Sequence, residues 1–169
     1  RQILERVALA LFAGPAGQRQ LLVGEGVLLD AITATAEQEG YRADPASVGD
    51  ALLTDLTRNS GLLRGSAQEG YFFLHLTVQE FLAASALARC VNDDGWDVPI
   101  SPARSAPSVR QLVDKKAWDP QWQEVIILLA GQLRDPAPLL KMLSRRAPTR
   151  TNPHGDDYFR HRLALAAQC

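Results

Sequence analysis

With 169 residues, 46% of them hydrophobic, the chain has enough apolar material to bury a core in one domain or two small ones. Its 18 Lys and Arg stand against 19 Asp and Glu, and a net charge of −1 gives no general attraction to nucleic acid or an anionic membrane. Two cysteines, Cys90 and Cys169, supply no disulfide framework, zinc set or redox pair.

No N-terminal apolar run resembles a signal peptide, and no stretch nears the roughly 18 apolar residues that span a bilayer. A cytoplasmic location without a membrane partner is therefore expected. The chain opens at Arg1 without Met and stops at Cys169 inside the apolar pattern Phe159, Leu163, Ala166, Ala167. This suggests a piece of a longer protein. Lys141, Arg145, Arg146, Arg150, Arg160 and Arg162 face only Asp156 and Asp157, and a solvated helix face and loop is favoured over an anion-binding patch.

In chain order, Ile3, Leu4, Val7 and Leu11 form one stripe of a helix over Gln2 to Phe12, which Gly14, Pro15 and Gly17 end. Val27, Leu28, Ala31, Ile32 and Thr35 continue that spacing to Gly40, and Val48, Leu52, Leu53 and Leu56 mark a third helix from Ser47. The period then changes. Residues 61–64 and 70–76 are short, branched and aromatic around the polar stretch 65–69, which predicts a β-hairpin. Thr77 to Glu80 fits a capping box for a helix reaching about Val91, with Val78, Phe81, Leu82 and Ser85 on its buried side. Three helices, a hairpin and a helix is the order of a winged-helix domain, with Ser47 to Asn59 as its recognition helix.

Asn92 to Pro107 is polar and Pro-rich, which places a linker there between a domain over 1–91 and a helical segment over 108–169. Helices are expected at Ser108 to Ala117, Pro120 to Leu133, Pro136 to Arg146 and from Asp157. Asp119-Pro120 and Asp135-Pro136 are matching start signals, since the carboxylate caps free donors while Pro tolerates the first turn. The helix from Trp122 is apolar around most of its circumference, so it must be sandwiched, as in a stacked α-solenoid. The fold class is mostly α.

A phosphate-binding loop needs a Gly-rich turn ending in Gly-Lys-Ser or Gly-Lys-Thr, and no Lys follows Gly14-Pro15-Ala16-Gly17. A nucleophile elbow, a His-Glu-x-x-His helix and a calcium loop are also missing. The chain is expected to be non-catalytic and to hold no metal or cofactor of its own. The carboxylate pairs Asp93-Asp94 and Asp156-Asp157 read as turn and capping residues. Asp50 and Asp55 oppose Arg58 on the recognition helix, and the hairpin offers Arg64 against Glu69, so nucleic acid is an unfavoured partner.

Asn59-Ser60-Gly61-Leu62-Leu63, followed by Tyr71-Phe72-Phe73-Leu74-His75-Leu76-Thr77-Val78-Gln79-Glu80-Phe81-Leu82-Ala83-Ala84, resembles the winged-helix end of NACHT-type STAND nucleotide-switch ATPases. Trp122 to Gly131 is similar to the helical segment that leads into HEAT-like repeats in bacterial members, and Asp157 to Cys169 more weakly to a repeat helix. The resemblance implies a regulatory fragment that holds its parent in an ADP-bound resting state, in bacterial defence or stress signalling. It implies an NTPase core binding ADP or ATP with Mg elsewhere in the same chain, C-terminal sensor repeats, and a possible protein ligand. It also implies that His75 contacts a nucleotide phosphate. Strand alternation would put His75 on the face of Tyr71 and Phe73, just ahead of free helix N–H groups that favour anions. The competing reading of His75 is a partly buried imidazole bonded to a local carbonyl. For the chain as a whole, a DNA-binding regulator and a helical-repeat scaffold stand as alternatives.

Overall fold

The computed structural model describes residues 2–13, 22–38, 40, 45–59, 61–101, 106–150 and 153–169. The expected stop at Gly14 to Gly17 lies outside them. The described residues are mostly helical, with one small two-stranded sheet. They divide into two compact units, residues 1–83 and 84–169.

In the first unit α1 (Gln2–Ala13), α2 (Glu25–Gln38) and α3 (Pro45–Thr54) precede the hairpin of β1 (Leu63–Ser66) and β2 (Gly70–Phe73). The amphipathic stripe of α1 places Ile3, Val7, Ala8 and Leu11 in a core with Leu28 and Ile32 of α2. Full burial of each large aliphatic side chain is worth about 1.5–3 kcal/mol. Leu53, Leu56, Leu63, Tyr71 and Phe73 extend the same core beneath the hairpin. The helix expected to run to Asn59 ends its α-winding at Thr54 and continues as a π-helical segment over Asp55–Asn59.

The strands run antiparallel, with Leu63 opposite Phe73 and Ser66 opposite Gly70. β1 starts two residues later than expected and extends through Gly65. There φ is +130°, and a Cβ would lie 1.9 Å from the Gly70 carbonyl oxygen, so only glycine fits that pairing. β2 also pairs on its other side, where the Val23 N–H donates to Tyr71 O (2.8 Å) and the Tyr71 N–H to Val23 O (2.7 Å).

Helix α4 spans Leu76–Asp94. It begins one residue before Thr77, so His75, not Thr77, directly precedes it, and the His75 carbonyl accepts from the Val78 and Gln79 N–H groups. Gln79 and all of residues 82–88 are buried, so Leu82 and Ser85 lie inside as expected. Phe81, expected in the core, is 43% exposed.

The two-unit division falls within α4, not in the expected linker over 92–107, and the later half of α4 bonds into the second unit, where Ser85 Oγ donates to Gln132 Oε1 at 2.7 Å and Asn92 Nδ2 to Gln132 O at 3.1 Å. The described part of 92–107 folds back as well. The Gly95 N–H donates to Cys90 and Val91 carbonyls, Ile100 N–H to Pro107 O, and Arg110 N–H to Trp96 O. Arg110 also forks onto both Asp97 oxygens, at 2.7 and 3.2 Å.

In the second unit α5 (Val109–Lys116) starts on a capping box between Ser108 and Gln111. The expected helix from Pro120 to Leu133 is a 3-10 turn, Pro120–Trp122, followed by α6 (Gln123–Ala130). The Asp119 and Asp135 carboxylates accept from Gln121 and Ala137 N–H groups, which are the start signals read from the two Asp-Pro pairs. α7 (Ala137–Ser144) packs against α8 (His161–Gln168). Val113, Trp122, Val125, Ile126, Leu129, Leu139, Leu143 and Leu165 form the apolar interior.

α8 begins four residues after the expected Asp157. Arg160 has φ +59° and interrupts the backbone there, while Asp157 caps from outside by accepting from the His161 N–H at 3.1 Å. Phe159, read as part of the terminal apolar pattern, precedes the helix and is 77% exposed.

Candidate functional site

The junction between β2 and α4 carries the residue singled out by sequence, His75. The strand ends at Phe73, so the alternation that buries Tyr71 and Phe73 does not extend to His75, and its side chain is exposed. Its ring makes no hydrogen bond with a described residue. The reading of a partly buried imidazole bonded to a local carbonyl is thereby overturned. Exposed apolar side chains flank it: Phe72 (42%), Leu74 (44%) and Leu76 (48%).

The backbone holds this junction firmly. The Leu74 N–H donates to Leu62 O at 3.0 Å, which ties the strand exit to the residue before β1. His75 then closes the first turn of α4 through its carbonyl, leaving its ring beside a helix start. The aligned peptide dipoles at the N-terminal end of an α-helix give it a partial positive charge. An imidazole donor next to that end can meet a phosphate oxygen from the same side.

Gln79 and Glu80, expected as a helix-start pair, separate in environment. Gln79 is 2% exposed, whereas Glu80 is partly exposed. Behind β2 the Tyr71 hydroxyl donates to Glu25 Oε2 at 3.2 Å. Burial, with the Glu25 charge and that hydrogen bond, raises the phenol above its ordinary value.

The carboxylate pair Asp156-Asp157 has a structural setting. Asp156 accepts from the Arg162, Leu163 and Asp157 N–H groups and pairs with Arg160 Nε at 2.8 Å. Asp157 meets His161 Nδ1 at 2.5 Å. Among the described residues no group of His, Cys, Asp and Glu is arranged to hold a metal ion. No described helix is long and apolar enough to cross a membrane.

Sequence reasoning missed the buried pair of Asp114 and Arg162. Arg162, one of the basic residues expected on a solvated face, has a fully buried side chain. A basic residue at a core-facing spacing of α8 was the one available signal, and its partner lies 48 residues away.

No protein-family model, curated protein or solved structure matches this chain.

Proposed function

We propose that the chain is the winged-helix and adjoining helical-repeat segment of a NACHT-type nucleotide-switch protein. The exposed His75 ring at the head of α4 carries this reading, because a phosphate contact needs an unengaged donor on an ordered backbone. The order α1, α2, α3, β1, β2, α4 supports a winged helix, and the Val23 pairing gives β2 a second partner. The succession α5 to α8 supports the start of a HEAT-like repeat segment.

In this reading the unit over 1–83 rests against ADP bound to an ATPase core in the same parent chain. The hydrolytic residues lie in that core and the fragment is not an enzyme. His75 donates to a phosphate oxygen, and loss of the contact releases the resting arrangement. The 84–169 unit leads toward sensor repeats, and the parent acts in the cytoplasm in bacterial defence or stress signalling. Direct DNA reading is weaker, because Asp50 and Asp55 are exposed on the helix that would enter the groove.

The test is His75→Ala in the full-length protein, followed by retention of bound ADP and basal signalling. Faster ADP loss with raised basal output is expected. Unchanged retention and output would remove His75 from the switch.

A further inference from the structure

A second feature of the 1–83 unit lies apart from His75. Between the π-helical segment and β1 runs an open groove of about 490 Å³, lined by Thr54, Thr57, Arg58, Arg64 and Ser66, with Leu63 at its floor. That volume falls in the range of small-molecule sites, roughly 300–1,000 Å³.

Arg58 and Arg64 are exposed, and neither has an ion pair or hydrogen bond among the described residues. Arg110, Arg134, Arg160 and Arg162 each have an Asp partner. The hydroxyls add donors. Ser66 Oγ accepts from the Glu69 N–H at 3.2 Å, which leaves its own proton available. The Thr54 hydroxyl is unengaged among the described residues, whereas Thr57 donates its proton to Leu53 O at 2.7 Å. Arg64 and Ser66 share one face of β1 by the two-residue strand period.

The winding of the wall is a further pointer. Asp55–Asn59 is a π-helical segment, and such segments recur at functional sites because they re-aim side chains at the expense of regular hydrogen bonding. Here the segment carries Thr57 and Arg58 into the groove. Gly65 fixes the opposite wall, since its φ of +130° and its approach to Gly70 leave no room for a side chain.

We propose that this groove binds a small phosphorylated molecule, of the diphosphate or sugar-phosphate type. Two planar guanidiniums match phosphate oxygens bidentately, and the two hydroxyl donors extend that complement beyond what one carboxylate would use. The exposed Asp50, Asp55 and Glu69 would repel a continuous nucleic-acid backbone, but none of them lines the groove. A compact anion avoids them.

Titration calorimetry of the 169-residue chain with inorganic pyrophosphate and with ribose 5-phosphate tests this. Saturable binding is expected, with free ribose giving none. Arg58→Gln and Arg64→Gln should each weaken binding about tenfold, while Arg134→Gln should leave it unchanged. Thermal melts of each variant check folding, and Arg58→Lys should retain part of the affinity. Absence of pyrophosphate binding would overturn the proposal. So would binding that survives both glutamine substitutions, or duplex DNA that binds without being displaced by pyrophosphate. Loss of binding in His75→Ala with both arginine variants unaffected would place the anion at the α4 junction and overturn it as well.

Discussion

Arg162 Nη2 lies 2.8 Å from Asp114 Oδ1, and the two side chains are 0% and 1% exposed. Each has further partners. Asp114 Oδ2 accepts from the His154 N–H at 3.0 Å, and the Arg162 guanidinium also donates to the carbonyls of His154 and Met142. The pair therefore ties α5, the residues before α8 and the end of α7 to α8 in one polar knot inside an apolar interior. Taking one partner away strands the other charge without water, which costs more than the intact pair contributes.

Arg162→Met or Asp114→Ala alone should destabilise the 84–169 unit by about 3–5 kcal/mol. The double replacement Asp114→Leu with Arg162→Met should recover most of that loss. Trp96, Trp118 and Trp122 are the three tryptophans of the chain and all belong to this unit, so tryptophan fluorescence during urea unfolding reads it directly. Single variants within about 1 kcal/mol of the parent would contradict the argument.

Acid should unfold the same unit through Asp156. Burial opposes its ionisation, but the Arg160 guanidinium and the N–H groups of Arg162, Leu163 and Asp157 outweigh that and hold its carboxyl below the ordinary 3.8. Between the native and unfolded pKa values the unfolded chain binds more protons. The stabilisation is therefore complete above about pH 4 and disappears as pH falls through the lower native value. Unfolding midpoints from about pH 5 to pH 2.5 should drop steeply in the parent and less steeply in Asp156→Asn. Parallel slopes would show that Asp156 is not a linked group.

Gly65→Ala should open the hairpin. The new Cβ meets the Gly70 carbonyl oxygen at 1.9 Å and the Tyr71 Cα at 2.9 Å, all backbone that cannot swing aside. With the positive φ, a cost above about 2 kcal/mol is expected. Amide exchange at Leu74, whose N–H is bonded to Leu62 O across the hairpin, is the readout. Faster exchange there is expected, and unchanged protection would mean the strands accommodate the methyl.

His75→Ala should leave the melting temperature of the 1–83 unit nearly unchanged, within about 0.5 kcal/mol, because the ring is exposed and makes no hydrogen bond with a described residue. Circular dichroism melts check this. A large loss would assign His75 to stability instead of ligand contact.

What was legible in the sequence was local. The stripe of α1 and the two Asp-Pro starts depend on residues a turn apart, so periodicity and capping chemistry reveal them. The hairpin was visible, but its strand bounds were not: residues 65 and 66, expected in the turn, pair within β1, and β2 ends at Phe73, short of residue 76. The head of α4 was misplaced by one residue, and with it Phe81, because the Thr77 to Glu80 pattern satisfies a cap rule that this helix starts too early to use. The exposure of His75 was not legible, since strand alternation stops at Phe73, where the strand ends. The Val23 pairing and the Asp114 to Arg162 contact join residues 48 positions apart, and no local rule reaches that far.

That separation also sets an order of events during synthesis. At about 5–20 residues per second, Asp114 is made roughly 2 to 10 seconds before Arg162. Through that interval the carboxylate has no cation to enter the interior with, so the polar knot of the finished unit cannot form. Completion of the 84–169 unit is thus timed by the translation of α8, and a chain stalled before residue 162 would present an unfinished core to chaperones and proteases.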